Sequence, residues 1–354
     1  MSRVDKLIKS MPEEMDAILV TSAVNQFYLS EFKFDDGYVL ITRGKSYVFA
    51  DSRYYEAAKN QVQAGFEVVL IKGKQSEYMG NIFTADSLKT IGFENTVMTC
   101  SAFENLKKTF PDNEFISAGD LITNLREYKD ESEIADIIAA QRIAESAFDH
   151  ILGYISPDKT EIEIALELEF FMRRQGSQGI AFDMIVVSGS ASSQPHGVPR
   201  KCKLERGLFT MDFGAIVNGY RSDMTRTVCI GKPSDEMKKI YDITLNAQLT
   251  ALDLAAEGVK CAAMDASARA VITDAGYGDN FGHSLGHGVG LDIHEKPGLH
   301  FNAGDKVLEI GHVVTIEPGI YLEGQFGVRI EDMVAITADG AVNLTKSPKH
   351  LIEI

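Results

Sequence analysis

Thr210-Met211-Asp212-Phe213-Gly214 decides the reading of this chain, because the same order of residue types returns near the C-terminus as Thr315-Ile316-Glu317-Pro318-Gly319. Both read as threonine, apolar residue, acid, any residue, glycine. A second match follows downstream, where Arg221-Ser222-Asp223 aligns with Arg329-Ile330-Glu331. Each copy supplies one acid early in a hairpin and another on the return strand, 11 residues apart in the first copy and 14 in the second. One such match is what two unrelated hairpins with surface acids would give. Two in the same order point to an internal duplication, with four acids able to converge on a pseudo-twofold axis.

The surroundings of these acids narrow their role. Asp212 follows the apolar run GLFTM and Glu317 follows HVVTI, so both stand where a buried strand approaches its end. Unpaired buried carboxylates are costly. Hydrogen bonds, arginine partners or protonation could offset that cost, but a pair of divalent cations offsets four carboxylates at once. The segment Gly282-His283-Ser284-Leu285-Gly286-His287-Gly288-Val289-Gly290 adds two histidines among glycines that permit close backbone approach. His294 follows seven residues after His287, and His196 sits in Gln194-Pro195-His196-Gly197, so half of the chain's eight histidines fall in these motifs.

Other chemistries fail on residues. His294-Glu295 begins like an HExxH zinc-protease helix, but Gly298 stands where the second histidine belongs and Pro297 disturbs a helix. Gly282-His283-Ser284-Leu285-Gly286 has the GxSxG spacing, but the glycines at 286, 288 and 290 that follow it do not support the helix of a nucleophile elbow. Gly44-Lys45-Ser46 is not a phosphate loop, since Val39 replaces the first glycine of a Walker motif. A formal charge of -16 argues against a nucleic-acid surface, which depends on clustered Lys and Arg. The cysteines at 100, 202, 229 and 261 are too scattered for a disulfide scaffold and are expected to be reduced, mostly buried thiols. No signal-peptide core or membrane-spanning run is present, so a cytoplasmic location without membrane contact is expected.

At 354 residues the chain exceeds one usual hydrophobic core, and its texture changes near Leu125. Residues 1–124 alternate short apolar runs with amphipathic helices, an α/β pattern; YVLIT and SYVFA flank Arg43-Gly44-Lys45 as a hairpin, with Gly44 suited to a positive φ. Residues 125–354 open with a long helix whose Ile134, Ile137, Ile138, Ala144, Phe148 and Ile151 share a face. A second helix starts at a capping box, Thr160 to Glu163, and ends near Gly176 before the strand-like FDMIVVSG. Two helices, about 234–256 and 262–275, then lead to glycine-rich strands.

MDFGAIVNGYRSDMTRT, GHSLGHGVGLDIHE, TIEPGIY and GVRIED together resemble the pita-bread metallopeptidases, the group containing aminopeptidase P, prolidase and methionine aminopeptidase, with creatinase as a metal-free relative. The resemblance covers nearly the whole chain. It implies an N-terminal α/β domain like that of creatinase, prolidase and aminopeptidase P, and an α+β pita-bread catalytic domain with pseudo-twofold internal duplication. It implies two divalent metal ions, with manganese first and cobalt, iron or zinc as alternatives. Asp212 would bind one metal, His287 and Glu317 the other, and Asp223 and Glu331 both. Glu317 would also shuttle a proton, His294 would sit near the scissile carbonyl and His196 beside the leaving side of the peptide bond.

His283 and the long N-terminal domain resemble enzymes that cleave before proline, and a pocket of His283, Tyr321 and Arg329 is the expected source of that selectivity. An aminopeptidase removing the residue before a penultimate proline is the leading expectation. An Xaa-Pro dipeptidase, or prolidase, is the alternative, and a non-catalytic peptide-binding module the remote one. Proline-containing peptides are the implied substrates, and a homodimer the implied assembly.

Overall fold

The alternating apolar runs of the first third form one six-stranded sheet. A computed structural model describes residues 1–354, which divide into two units, Met1–Arg126 and Glu127–Ile354. In the first unit the strands are β1 (Ala17–Val20), β2 (Gly37–Thr42), β3 (Ser46–Asp51), β4 (Phe66–Ile71), β5 (Thr90–Phe93) and β6 (Glu114–Ser117), in the order β4-β3-β2-β1-β5-β6. Only β2 runs antiparallel to its neighbours. The β2–β3 hairpin forms where expected, but Gly44 does not take a positive φ. The Thr42 hydroxyl closes the turn instead, accepting from the Gly44 and Lys45 amides at 3.2 and 2.9 Å, so no left-handed residue is required.

The second unit carries the duplication in its element order. Two helices, α1 (Glu131–Tyr154) and α2 (Glu161–Arg174), precede β7 (Ile185–Ser188); then β8 (Gly207–Phe213) pairs antiparallel with β11 (Met224–Ile230) around the small hairpin β9 (Ile216–Val217) and β10 (Tyr220–Arg221). The second copy repeats this with α3 (Asp235–Leu254), α4 (Cys261–Asp274), β12 (Gly286–Gly288) and β13 (Glu295–Leu299). There β14 (Val313–Ile316) pairs with β17 (Asp332–Thr337) around β15 (Gly319–Leu322) and β16 (Phe326–Arg329), and β18 (Gly340–Asn343) closes the sheet.

Local sequence accounts for the helix starts. Asp130 with Glu133, and Thr160 with Glu163, form reciprocal capping boxes that satisfy free amides at the first turns of α1 and α2. Gly176, at φ +100°, follows the end of α2. On α1, Ile137, Ala144, Phe148 and Ile151 are buried, but Ile134 and Ile138 are only half-buried. The buried face is completed by small residues and by Glu133, whose carboxylate accepts a 2.6 Å bond from the Tyr220 hydroxyl on β10. Each copy thus packs a helix pair on its own sheet, with Phe148 and Phe209 central in the first core and Ile272 and Ile316 in the second.

All four cysteines are free thiols; Cys229 and Cys261 are buried, Cys202 is half-buried and Cys100 is exposed, so burial holds for two of the four. No helix is long and apolar enough to cross a membrane.

Candidate metal centre

The strand pairings set where the four acids fall. Asp212 is the penultimate residue of β8, and Glu317 follows β14 directly. Asp223 immediately precedes β11 and Glu331 immediately precedes β17, so each copy offers one acid leaving a strand and one entering its partner. His287 is the middle residue of β12. The flanking Gly286 lets that strand approach β14 closely, since a Cβ there would lie 2.0 Å from the Thr315 carbonyl oxygen. Asp212, Asp223, His287, Glu317 and Glu331 all line one cavity of about 800 Å³, together with His196, His283, His294 and Arg329.

His287 Nε2 lies 3.4 Å from Glu317 and 3.6 Å from Asp223. Its Nδ1 faces the Gly288 carbonyl oxygen at 3.1 Å. A carbonyl only accepts, so Nδ1 carries the proton and the Nε2 lone pair points at the acids. Burial pushes this imidazole down to about 4, keeping it neutral and fit to ligate. Ligand atoms of Asp223, His287 and Glu331 lie within 4.8 Å of one another.

The carboxylates suit cations. Burial, then Glu331, Asp212 and Glu317, push Asp223 well above the ordinary carboxylate value; burial, then Glu317 and Asp212, do the same to Glu331. Burial raises Glu317 to about 8, opposed by Arg329 and assisted by Asp212. Asp212 Oδ1 and Glu331 Oε1 are buried with no hydrogen-bond partner. Such orphaned acceptors need a proton or a cation. Oxygen donors from both copies plus one neutral imidazole match a pair of divalent ions, so the residues fit the group.

Around the acids runs a chain of hydrogen bonds that alternates between the copies. Arg329 donates to Asp212 at 2.7 Å and to Thr225 Oγ1 at 3.0 Å, and the Thr225 hydroxyl donates to Glu331 at 2.7 Å. Arg329 also donates to the Tyr321 hydroxyl at 2.9 Å, which sits 2.9 Å from His283 Nε2. His283 Nδ1 faces the Ser284 carbonyl at 2.8 Å, so Nδ1 holds the proton and Tyr321 donates to Nε2. Burial and Arg329 push His283 down to about 4, consistent with that neutral tautomer.

His283 and Arg329 therefore face the cavity, whereas Tyr321 stands behind them and orients them. His294 is exposed, its ring edge-on to His287 with centroids 4.4 Å apart, and His196 is exposed on the loop after Pro195. Glu295 lies in β13, a strand, and its carboxylate pairs with Lys129 at 3.0 Å, in keeping with the rejection of a zinc-protease helix.

Thr225 was not singled out from sequence, although β-strand alternation carried the signal. Thr225 is the cross-strand partner of Asp212 and therefore shares its face. Arg226 points the other way, fully buried, and pairs with Asp332 at 2.8 Å, tying the two copies together beneath the acids.

Residues 135–338 match the model of metallopeptidase family M24, and residues 3–128 match that of the creatinase/prolidase N-terminal domain; the chain belongs to metallopeptidase family M24. Among its relatives, the Xaa-Pro dipeptidase of Pyrococcus furiosus is 38% identical over 99% of both chains. The structure of an Xaa-Pro dipeptidase from Bacillus anthracis superposes with a TM-score of 0.96 at 43% identity, covering 99% of each chain. An X-Pro aminopeptidase structure from Thermotoga maritima gives a TM-score of 0.94 at 39% identity over the full length of both. The fold is accordingly the pita-bread fold with a creatinase-type N-terminal domain.

Proposed function

We propose that this chain is an Xaa-Pro dipeptidase that hydrolyses the bond between an N-terminal residue and proline at a two-metal centre. The observation that carries it is the meeting of four carboxylates and a neutral His287 in one cavity rimmed by three further histidines. Asp212, Asp223, His287, Glu317 and Glu331 would hold the cations. When bound, they act as Lewis acids and lower the pKa of water toward neutrality. Glu317, a carboxylate on the cavity wall beside His287, is the group proposed to pass a proton from the attacking water to the leaving nitrogen. His294 and His196, exposed on the cavity wall, orient the scissile carbonyl and the proline side. His283 and Arg329, fixed by Tyr321, shape the pocket for the imino acid.

The dipeptidase reading displaces the aminopeptidase expectation because the relatives from Pyrococcus furiosus and Bacillus anthracis carry the dipeptidase name. The Thermotoga maritima relative supports the aminopeptidase as second reading. Turnover of an Xaa-Pro dipeptide against a longer peptide with the same first two residues separates them: the dipeptide alone is expected to be cleaved, and efficient cleavage of the longer peptide restores the aminopeptidase. Chelation is expected to abolish both activities. Manganese is the proposed metal, tested by reconstituting stripped protein with single ions. A homodimer is part of the reading, and sedimentation as a monomer would remove it.

A further inference from the structure

The strand entering the site from α2 is irregular at one place. Ile180 opposes Ala215, and Ile185 opposes Asp212, both antiparallel. Between those pairs the four residues from Ala181 to Met184 face only Phe213 and Gly214. The two extra residues make a bulge beside a metal-ligand candidate, and bulges re-aim side chains. Phe182, Asp183 and Met184 all turn onto the cavity wall as a result.

Asp183 is exposed there and makes no hydrogen bond or ion pair. It is the cavity's carboxylate outside the buried cluster. The wall contains no lysine, and its one arginine, Arg329, is committed to Asp212. Ile185 and Ile293 on the same wall offer apolar surface on which an aliphatic stem can lie while its charged head stays in water. An unpaired carboxylate at the mouth attracts a cationic side chain and repels an anionic one.

We propose that Asp183, carried into the cavity by the bulge, selects substrates by the charge of their N-terminal side chain, favouring Lys-Pro and Arg-Pro over Glu-Pro and Asp-Pro. This rests on the Xaa-Pro reading above.

The test is kcat/KM for Lys-Pro and Glu-Pro, each normalised to Leu-Pro, in the metal-loaded wild type, Asp183→Asn and Asp183→Glu. Wild type is expected to favour Lys-Pro over Glu-Pro, and Asp183→Asn to shrink that ratio by about fivefold, the scale of an exposed ion pair gained on one substrate and a repulsion relieved on the other. Asp183→Glu is expected to retain most of the preference. Rising salt is expected to narrow the ratio in wild type and leave it flat in Asp183→Asn. An unchanged ratio, including one in which all three substrates lose activity together, overturns the role of Asp183 while leaving the peptidase reading intact. A wild type inactive on all three overturns both.

Discussion

The two copies of the duplicated half use equivalent residues for different ends. Arg329 in the second copy reaches back to the Asp212 carboxylate of the first at 2.7 Å. Arg221, its counterpart, donates instead to backbone carbonyls of Leu291 and Ala181. The same divergence occurs at the second helix of each copy. Thr160 bridges Lys203 and Lys260 bridges Val307 in equivalent places, yet the next residue is buried Glu161 in one and buried Cys261 in the other. A duplication supplies symmetric backbone, but one substrate approaches one face, so the copies need not keep symmetric side chains. The proposed two-cation centre would need both sets of acids, which accounts for the acids being the part of the repeat that kept its symmetry.

The strongest way to break that comparison is to remove one shared acid. Glu331→Gln is expected to lower kcat/KM on the order of 10³-fold, the scale of losing a main source of charge stabilisation. Metal titration of the same variant by calorimetry is expected to show weakened binding. Full activity with bound metal would remove Glu331 from the centre.

Glu161 tests whether the copies differ in pH response. Burial alone would raise its carboxyl, but bonds from Arg200 and Ser188 outweigh this and hold it below the ordinary value. A depressed folded value gives stability that is complete above the ordinary carboxylate range and lost as pH falls through the folded value. Glu161→Gln is expected to cost about 2 kcal/mol at neutral pH, the scale of losing charge-assisted hydrogen bonds to a buried carboxylate whose Arg200 partner is partly exposed, with the difference vanishing in acid. Cys261→Ala should show no such pH dependence. Denaturant melts across pH measure both.

The arginine pair sharpens the contrast directly. Arg329→Lys is expected to lower kcat/KM by about 10- to 100-fold, because lysine cannot make the forked bonds to Asp212, Thr225 and Tyr321. Arg221→Lys is expected to lower the melting temperature with kcat preserved. Equal kinetic effects would mean the copies are functionally equivalent after all. The smallest effect is expected at Thr225→Val, roughly tenfold in metal affinity through the lost bond to Glu331.

The sequence exposed the repeated acids because their spacing within each hairpin is local, and strand alternation preserves it. It exposed the capping boxes of α1 and α2 for the same reason. It did not expose the turn at Gly44, where the Thr42 hydroxyl did the work expected of a left-handed glycine. Nor did it expose Thr225, whose importance depends on lying opposite Asp212.

From the sequence alone came the duplication with its four acids, the histidine-rich segment in which the family resemblance singles out His287, and the exclusion of serine-hydrolase, zinc-helix and nucleotide chemistry. Each is a statement about residue type and short-range order. Only the tertiary structure decided that Arg329 holds Asp212, that Tyr321 stands behind the pocket rather than on it, and that a bulge turns Asp183 into the cavity. Those follow from strand register and from contacts between residues more than a hundred positions apart in several cases. Chain-local patterns carry no record of which distant side chain fills a given buried hydrogen bond, because that choice is made by packing.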